Sequence, residues 1–244
     1  MPALDRFSTQ AADYARYRID YPPALYHWLL PQVRARERAW DCATGNGQVA
    51  AVLAETFVRV DATDLSEKQL AQAAPRPNLH YQTATAEHTP FPSQHFDLIT
   101  VAQAVHWFAH EAYHREVRRV ARPGGVIAEW GYSLPQVRPE IDWIVRQFHD
   151  DTMGPYWDAN RGHIADEYAR IPFPFAAVQR ERFAVRREWS AHWFLQYLRT
   201  WSSVARYQEQ HGADAVALIA GPLTELWSTG ERAVLFPVFA RAAG

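Results

Sequence analysis

Ten residues, Asp41-Cys42-Ala43-Thr44-Gly45-Asn46-Gly47-Gln48-Val49-Ala50, combine a carboxylate, two closely spaced glycines and a short apolar run. Glycines at 45 and 47 let a ligand approach the backbone closely, and a helix starting just after them offers unpaired N–H groups. The segment Gly45-Asn46-Gly47-Gln48-Val49-Ala50 also fits the dinucleotide form G-x-G-x-x-A, so on this block alone a nicotinamide or flavin enzyme stays open. Asp64, closing the next apolar run, is placed to accept hydrogen bonds from both hydroxyls of a ribose, and NAD and other adenosyl ligands share that ribose. A helix N-terminal charge beside Ser66 is its competing role. Asp41 puts a second carboxylate in the turn region, suited to an ammonium-bearing ligand and awkward beside a pyrophosphate.

These residues need strand ends to hold them. Between 39 and 131, short apolar runs alternate with amphipathic stretches, the rhythm of βαβ units in a parallel sheet. Strands are expected at 39–43, 57–63, 79–83, 96–101 and 126–130. Val49, Ala50, Val52 and Leu53 have helical spacing, and Ser66 with Gln69 has capping-box spacing at the start of a second helix that ends before Pro75. Tyr113, Val117, Val120 and Ala121 share one face of a helix stopped by Arg122-Pro123-Gly124-Gly125. An aromatic, proline-rich stretch, 132–178, reads as an insertion over the sheet edge. A helix from Ser190 should carry Trp193, Tyr197, Trp201 and Val204 on one stripe. Residues 178–187 and 233–241 read as late strands forming an antiparallel edge.

Composition narrows the classes of function. With 244 residues, 48% hydrophobic, the chain can bury a full core, and a net charge of −2 gives no reason to expect a nucleic-acid or membrane-surface partner. Lys68 is the single lysine, which rules out Schiff-base chemistry elsewhere. The one cysteine, Cys42, and eleven histidines without metal-ligand spacing argue for a reducing cytoplasm and no metal. No signal peptide or spanning segment is expected.

Further blocks follow in order: Thr85-Ala86-Glu87-His88-Thr89-Pro90-Phe91-Pro92, the run 102–108 (AQAVHWF), ARPGGVIAEWGY at 121–132 and YLRTWSSV at 197–204, with FSTQAADYARYRIDYP at 7–22 before them all. With the glycine block they resemble the type 11 methyltransferase family, and within it the branch of trans-aconitate methyltransferase and the plant embryo-abundant-like methyltransferases. The resemblance covers nearly the whole chain. It implies a Rossmann-like class I methyltransferase: α/β, a mostly parallel seven-stranded sheet with helices on both faces and an inserted helical cap. A single domain 1–244 is implied, with an N-terminal lid (1–30), a cofactor-binding core (36–131), the cap (132–178) and C-terminal helices and edge strands (179–244).

S-adenosylmethionine is then the implied cofactor. Asp41, Ala43, Gly45 and Gly47 match the motif around its methionine part and Asp64 the ribose-binding acid. Leu65 would lie against the adenine, Ala86 and Glu87 border that ring, and Gln103 falls near the sulfonium. Ala43 stands where the commoner motif has glycine, and its methyl group calls for φ < 0. Thr85 stands where many members carry an aspartate that bonds the adenine amine. Tyr14, Tyr17 and Arg18 match the lid, with Tyr14 and Arg18 on the cofactor and Tyr17 facing the acceptor.

The expected acceptor is a small molecule methylated on a carboxylate or hydroxyl oxygen. His106 is the candidate general base for a hydroxyl. Arg161 and Arg199 are the candidate partners of a carboxylate, with Trp107, Trp130 and Trp201 as aromatic walls. An NAD-dependent oxidoreductase and a non-catalytic S-adenosylmethionine sensor are the alternatives. The oligomeric state, monomer or homodimer, stays open.

Overall fold

A computed structural model describes residues 16–244. Helix α1 (Pro23–Leu29) leads into β1 (Arg38–Cys42), α2 (Gln48–Leu53), β2 (Arg59–Asp64), α3 (Glu67–Leu70), β3 (Leu79–Thr83) and β4 (Phe96–Ala102). Then come α4 (His110–Val120) and β5 (Ala121–Tyr132). The cap stretch carries α5 (Pro139–Gln147) and the short α6 (Gly162–Ala165). β6 (Gln179–Ser190), α7 (Ala191–Arg199), α8 (Ser202–His211), α9 (Ala217–Trp227) and β7 (Glu231–Ala243) complete the chain.

The seven strands form one sheet in the order β3-β2-β1-β4-β5-β7-β6. β1 to β5 pair in parallel, and β7 joins β5 and β6 antiparallel. This is the Rossmann-like arrangement expected, with the two late strands as its edge. Strand residues alternate between two hydrophobic layers, one per face, as a pleat of period two demands. Ala39, Leu98, Ala128 and Trp130 pack with α1, α2, α5, α7 and α9. Trp40, Cys42, Ile99, Val101 and Ile127 pack with α4 and the cap residues Ile164, Tyr168 and Ile171.

Local differences have physical causes. The aromatic stripe from Ser190 is two helices, because the chain turns at Thr200 and Trp201, leaving Trp201 ahead of α8 in extended backbone (φ −71°, ψ 137°). α4 ends at Val120, and Arg122-Pro123-Gly124-Gly125 belongs to the start of β5, where the pairing with β4 shifts register between Phe96 and Leu98. Ser66 caps α3 as its spacing requires, accepting the Gln69 N–H at 3.3 Å. Among the described residues no helix is long and apolar enough to cross a membrane.

Strand order reverses between β1 and β4, which places a crevice beyond their C-terminal ends. Both strands run there into a left-handed residue that is not glycine, Ala43 (φ 54°) and Gln103 (φ 56°). The expectation of negative φ at Ala43 is therefore corrected: the turn must reverse direction straight after a buried strand, and the methyl group is carried in strained backbone. Such strain costs about 1 kcal/mol or slightly more. Ala43→Gly is expected to raise stability by about 0.5–1 kcal/mol, read as a higher urea midpoint at unchanged slope. A lower midpoint would mean that residue 43 is not left-handed in the folded chain.

Candidate active site

One half of the crevice is acidic. Asp41 is 1% exposed and accepts from Thr44 Oγ1 (2.5 Å) and Thr100 Oγ1 (2.7 Å), so it ties the glycine turn to β4. Burial pushes its pKa up to about 6, against the pull of the Thr44, Thr100 and Ala50 hydrogen bonds. Asp64, at the end of β2, accepts from Gly45 N–H (2.8 Å) and Ser66 N–H (2.9 Å), joining the turn to the start of α3. Glu87 accepts from Ala109 N–H at 2.8 Å. Burial and these three carboxylates together hold the Cys42 thiol well above its usual pKa.

Glycine suits position 47 for two reasons: φ is +81°, and a Cβ there would press on the Tyr81 side chain, which would have to swing aside. Leu65 is 48% exposed beside the turn, an apolar surface of the kind that covers a purine face, and Ala86 is buried nearby in the sheet's other layer. A bare glycine turn, a carboxylate at the end of β2 and an acidic lining suit a ribose and a sulfonium amino acid, whose sulfonium and ammonium outweigh its single carboxylate. They repel a pyrophosphate.

The other half is basic and aromatic. Gln103 turns its side-chain amide onto β5, accepting from Tyr132 N–H (2.7 Å) and donating to Tyr132 O (3.2 Å). A Cβ on Gly131 would stand 2.6 Å from Gln103 Oε1, so glycine there permits this clamp. The Tyr132 hydroxyl accepts from Arg18, whose guanidinium also donates to Thr200 O at 2.9 Å and lies over the Tyr197 ring. Arg161 stacks on Trp157, 4.8 Å from the ring centroid. Among the described residues no carboxylate pairs with its guanidinium, and burial lowers its pKa while Tyr197, Tyr132 and Tyr168 surround it.

His106 is 3% exposed, and its pKa is pushed down to about 3, first by burial and then by Arg161, His163 and His110. It stays neutral and is a weak base there, which argues against the general-base role given to it from sequence. Several expected acceptor contacts are also corrected. Arg199 is paired with Asp214 at 2.8 Å. Trp130 is fully buried against Tyr21 and Tyr26, and Trp201 against Phe148 and Trp157. Tyr17 turns away to pack on Trp193, with ring centroids 4.9 Å apart. Trp107 is half-buried beside His106. Tyr14 lies outside the described residues.

Tyr132, Tyr168 and the threonine braces of Asp41 were missed from sequence. Tyr132 sits inside a quoted motif but has no spacing signal of its own. Tyr168 lies in a segment without periodicity.

A family model described as "Methyltransferase domain" matches residues 40–128. A Dictyostelium discoideum protein named as a methyltransferase is 30% identical, the match covering 96% of this chain and 93% of that one. A solved Anaeromyxobacter dehalogenans protein described as a type II methyltransferase is 38% identical with a TM-score of 0.83, covering 93% of this chain and 97% of its own. Haemonchus contortus phosphoethanolamine N-methyltransferase 2, solved with S-adenosylhomocysteine, shares the fold at 15% identity and a TM-score of 0.51, over 97% of this chain and 57% of its own. The chain belongs to the class I S-adenosylmethionine-dependent methyltransferases. Its methyl donor is S-adenosylmethionine, and the oxidoreductase reading of the glycine block falls.

Proposed function

We propose that this enzyme methylates a carboxylate oxygen of a small organic acid. The observation that carries the reading is Arg161, a half-buried guanidinium that no carboxylate neutralises among the described residues, walled by Trp157 and tyrosines where β4 and β5 end. A half-buried cation with no carboxylate beside it is an unfavourable arrangement unless a ligand completes it, and guanidinium pairs best with a planar carboxylate. The resemblance of the motifs at 102–108, 121–132 and 197–204 to the trans-aconitate branch supports the same class.

The cofactor supplies a sulfonium methyl, an electrophile strong enough that the protein has chiefly to align the acceptor and exclude water. Asp41, Asp64 and Glu87 favour the cationic donor on their side of the crevice, while Arg161 favours an anion on its own. Gln103, locked on Tyr132, keeps the wall between the two halves in place. A carboxylate is ionised at neutral pH and needs no base, which agrees with a His106 that does not take up a proton. Transfer converts a sulfonium and a carboxylate into a neutral thioether and a neutral ester, so the attraction holding each partner weakens in the products.

The test is transfer of a labelled methyl group to a panel of organic acids, with the matching alcohols, phenols and amines as controls. Labelled, base-labile esters are expected from acids alone. Transfer confined to phenols or amines would overturn the reading.

A further inference from the structure

The cap contains two successive non-glycine residues in left-handed backbone, Glu167 (φ 52°) and Tyr168 (φ 62°). Such backbone persists only where the surroundings over-determine it. Two arginines of the antiparallel edge strands do so here. Arg182 on β6 forks onto the Glu167 carboxylate at 2.7–3.2 Å. Arg241 on β7, 2% exposed, donates one nitrogen to the carbonyls of Tyr168 (3.1 Å) and Ile171 (2.9 Å). Its other two nitrogens fork onto Glu129 Oε2 at 2.8 and 2.6 Å, a fully buried carboxylate in the middle of β5. The Phe173 ring covers this guanidinium at 4.5 Å.

Held this way, the Tyr168 ring stands edge-on to Phe239 at 4.9 Å, and the side chain, 1% exposed, places its hydroxyl next to His106 and Gly131 at the C-terminal ends of β4 and β5. The hydroxyl is 3.5 Å from His106 Nδ1, the outer limit of a hydrogen bond, and 3.1 Å from where a Cβ on Gly131 would lie. Burial and the Glu129 charge raise its pKa, so the phenol keeps its proton and serves as a donor.

We infer that Tyr168 donates a hydrogen bond to the acceptor oxygen that is not methylated, and that Glu129–Arg241 is the buried device that positions it. This rests on the anionic acceptor proposed above. Arg241 touches no substrate and acts through Tyr168 as a positioning residue.

The variants are Tyr168→Phe and Arg241→Lys, which keeps the charge and loses the fork. Hydrogen exchange of the whole protein is expected to be at least tenfold faster at 168–173 in Arg241→Lys, with β1 to β4 unchanged. The His106 Nδ1 nitrogen resonance is expected to move in both variants. With S-adenosylhomocysteine bound, the Kd for benzoate as probe anion, followed by tryptophan fluorescence, should rise about tenfold in each variant and no further in the double variant. A benzoate Kd that stays put in Tyr168→Phe, or exchange at 168–173 unaltered by Arg241→Lys, would overturn the inference. Failure of benzoate to bind the unsubstituted protein would sink the anionic acceptor instead. Exchange and the His106 resonance would still decide whether the device exists.

Discussion

Arg161→Gln is expected to lower kcat/KM for a carboxylate acceptor by about 10²-fold, on the basis of about 1.5–3 kcal/mol for a hydrogen-bonded charge pair in a partly desolvated site. Glutamine keeps the length and one donor but loses the charge and the fork, so most of the loss should fall on KM. S-adenosylhomocysteine affinity should change less than twofold, because Asp41, Asp64 and Gly45 form a separate half of the crevice. The stacking on Trp157 adds a second readout, since removing the guanidinium from a ring 4.8 Å away should shift the tryptophan emission. His106→Ala on the same acceptor is the internal control. A carboxylate acceptor brings no proton to remove, and burial makes His106 a weak base, so kcat should drop by less than about threefold, against ~10²-fold for a true general base. If Arg161→Gln retains full kcat/KM on every acid while His106→Ala abolishes turnover, the acceptor is a hydroxyl and the assignment of roles reverses.

The sheet was legible in the sequence because its signals are local. Buried runs such as 96–101 mark strands, and turn residues at 44–47 mark a strand end, whatever the tertiary context. Even the two edge strands were readable as strands, since β6 and β7 run to twelve and thirteen residues. The turn was legible where backbone chemistry dictates residue type: Gly45 and Gly47 are left-handed, and Asp64 closes β2 and holds Gly45 N–H. Side chains supplied by packing were not. Arg161 and Arg199 look alike in sequence, yet Asp214, fifteen residues beyond Arg199, neutralises one and no described carboxylate reaches the other. Trp130 and Trp201 have the composition of a ligand wall and the burial of a core. The difference is which face of β5, and which side of the break at Thr200, each one occupies, and that is a long-range property.

Asp64→Ala is expected to weaken S-adenosylmethionine and S-adenosylhomocysteine binding by roughly 10²-fold, through two losses that can be separated. One is the proposed ribose contact, a charged acceptor worth about 1.5–3 kcal/mol. The other is the bracing of the glycine turn, because Asp64 Oδ2 holds Gly45 N–H at 2.8 Å and Oδ1 holds Ser66 N–H at 2.9 Å. A carboxylate oxygen has two lone-pair directions, so each oxygen can hold a backbone N–H and still meet a ribose hydroxyl. A 2′-deoxyadenosyl analogue of the product resolves the two by a double-mutant cycle. It should bind the unsubstituted protein at least tenfold more weakly than the parent ligand, and the Asp64→Ala protein no more weakly than the parent does. Loss of that discrimination is the signature of a direct contact to the hydroxyl. If both ligands weaken equally on substitution and the analogue's deficit persists, Asp64 acts only by holding Gly45 and Ser66 in place. The ribose must then be held by another group.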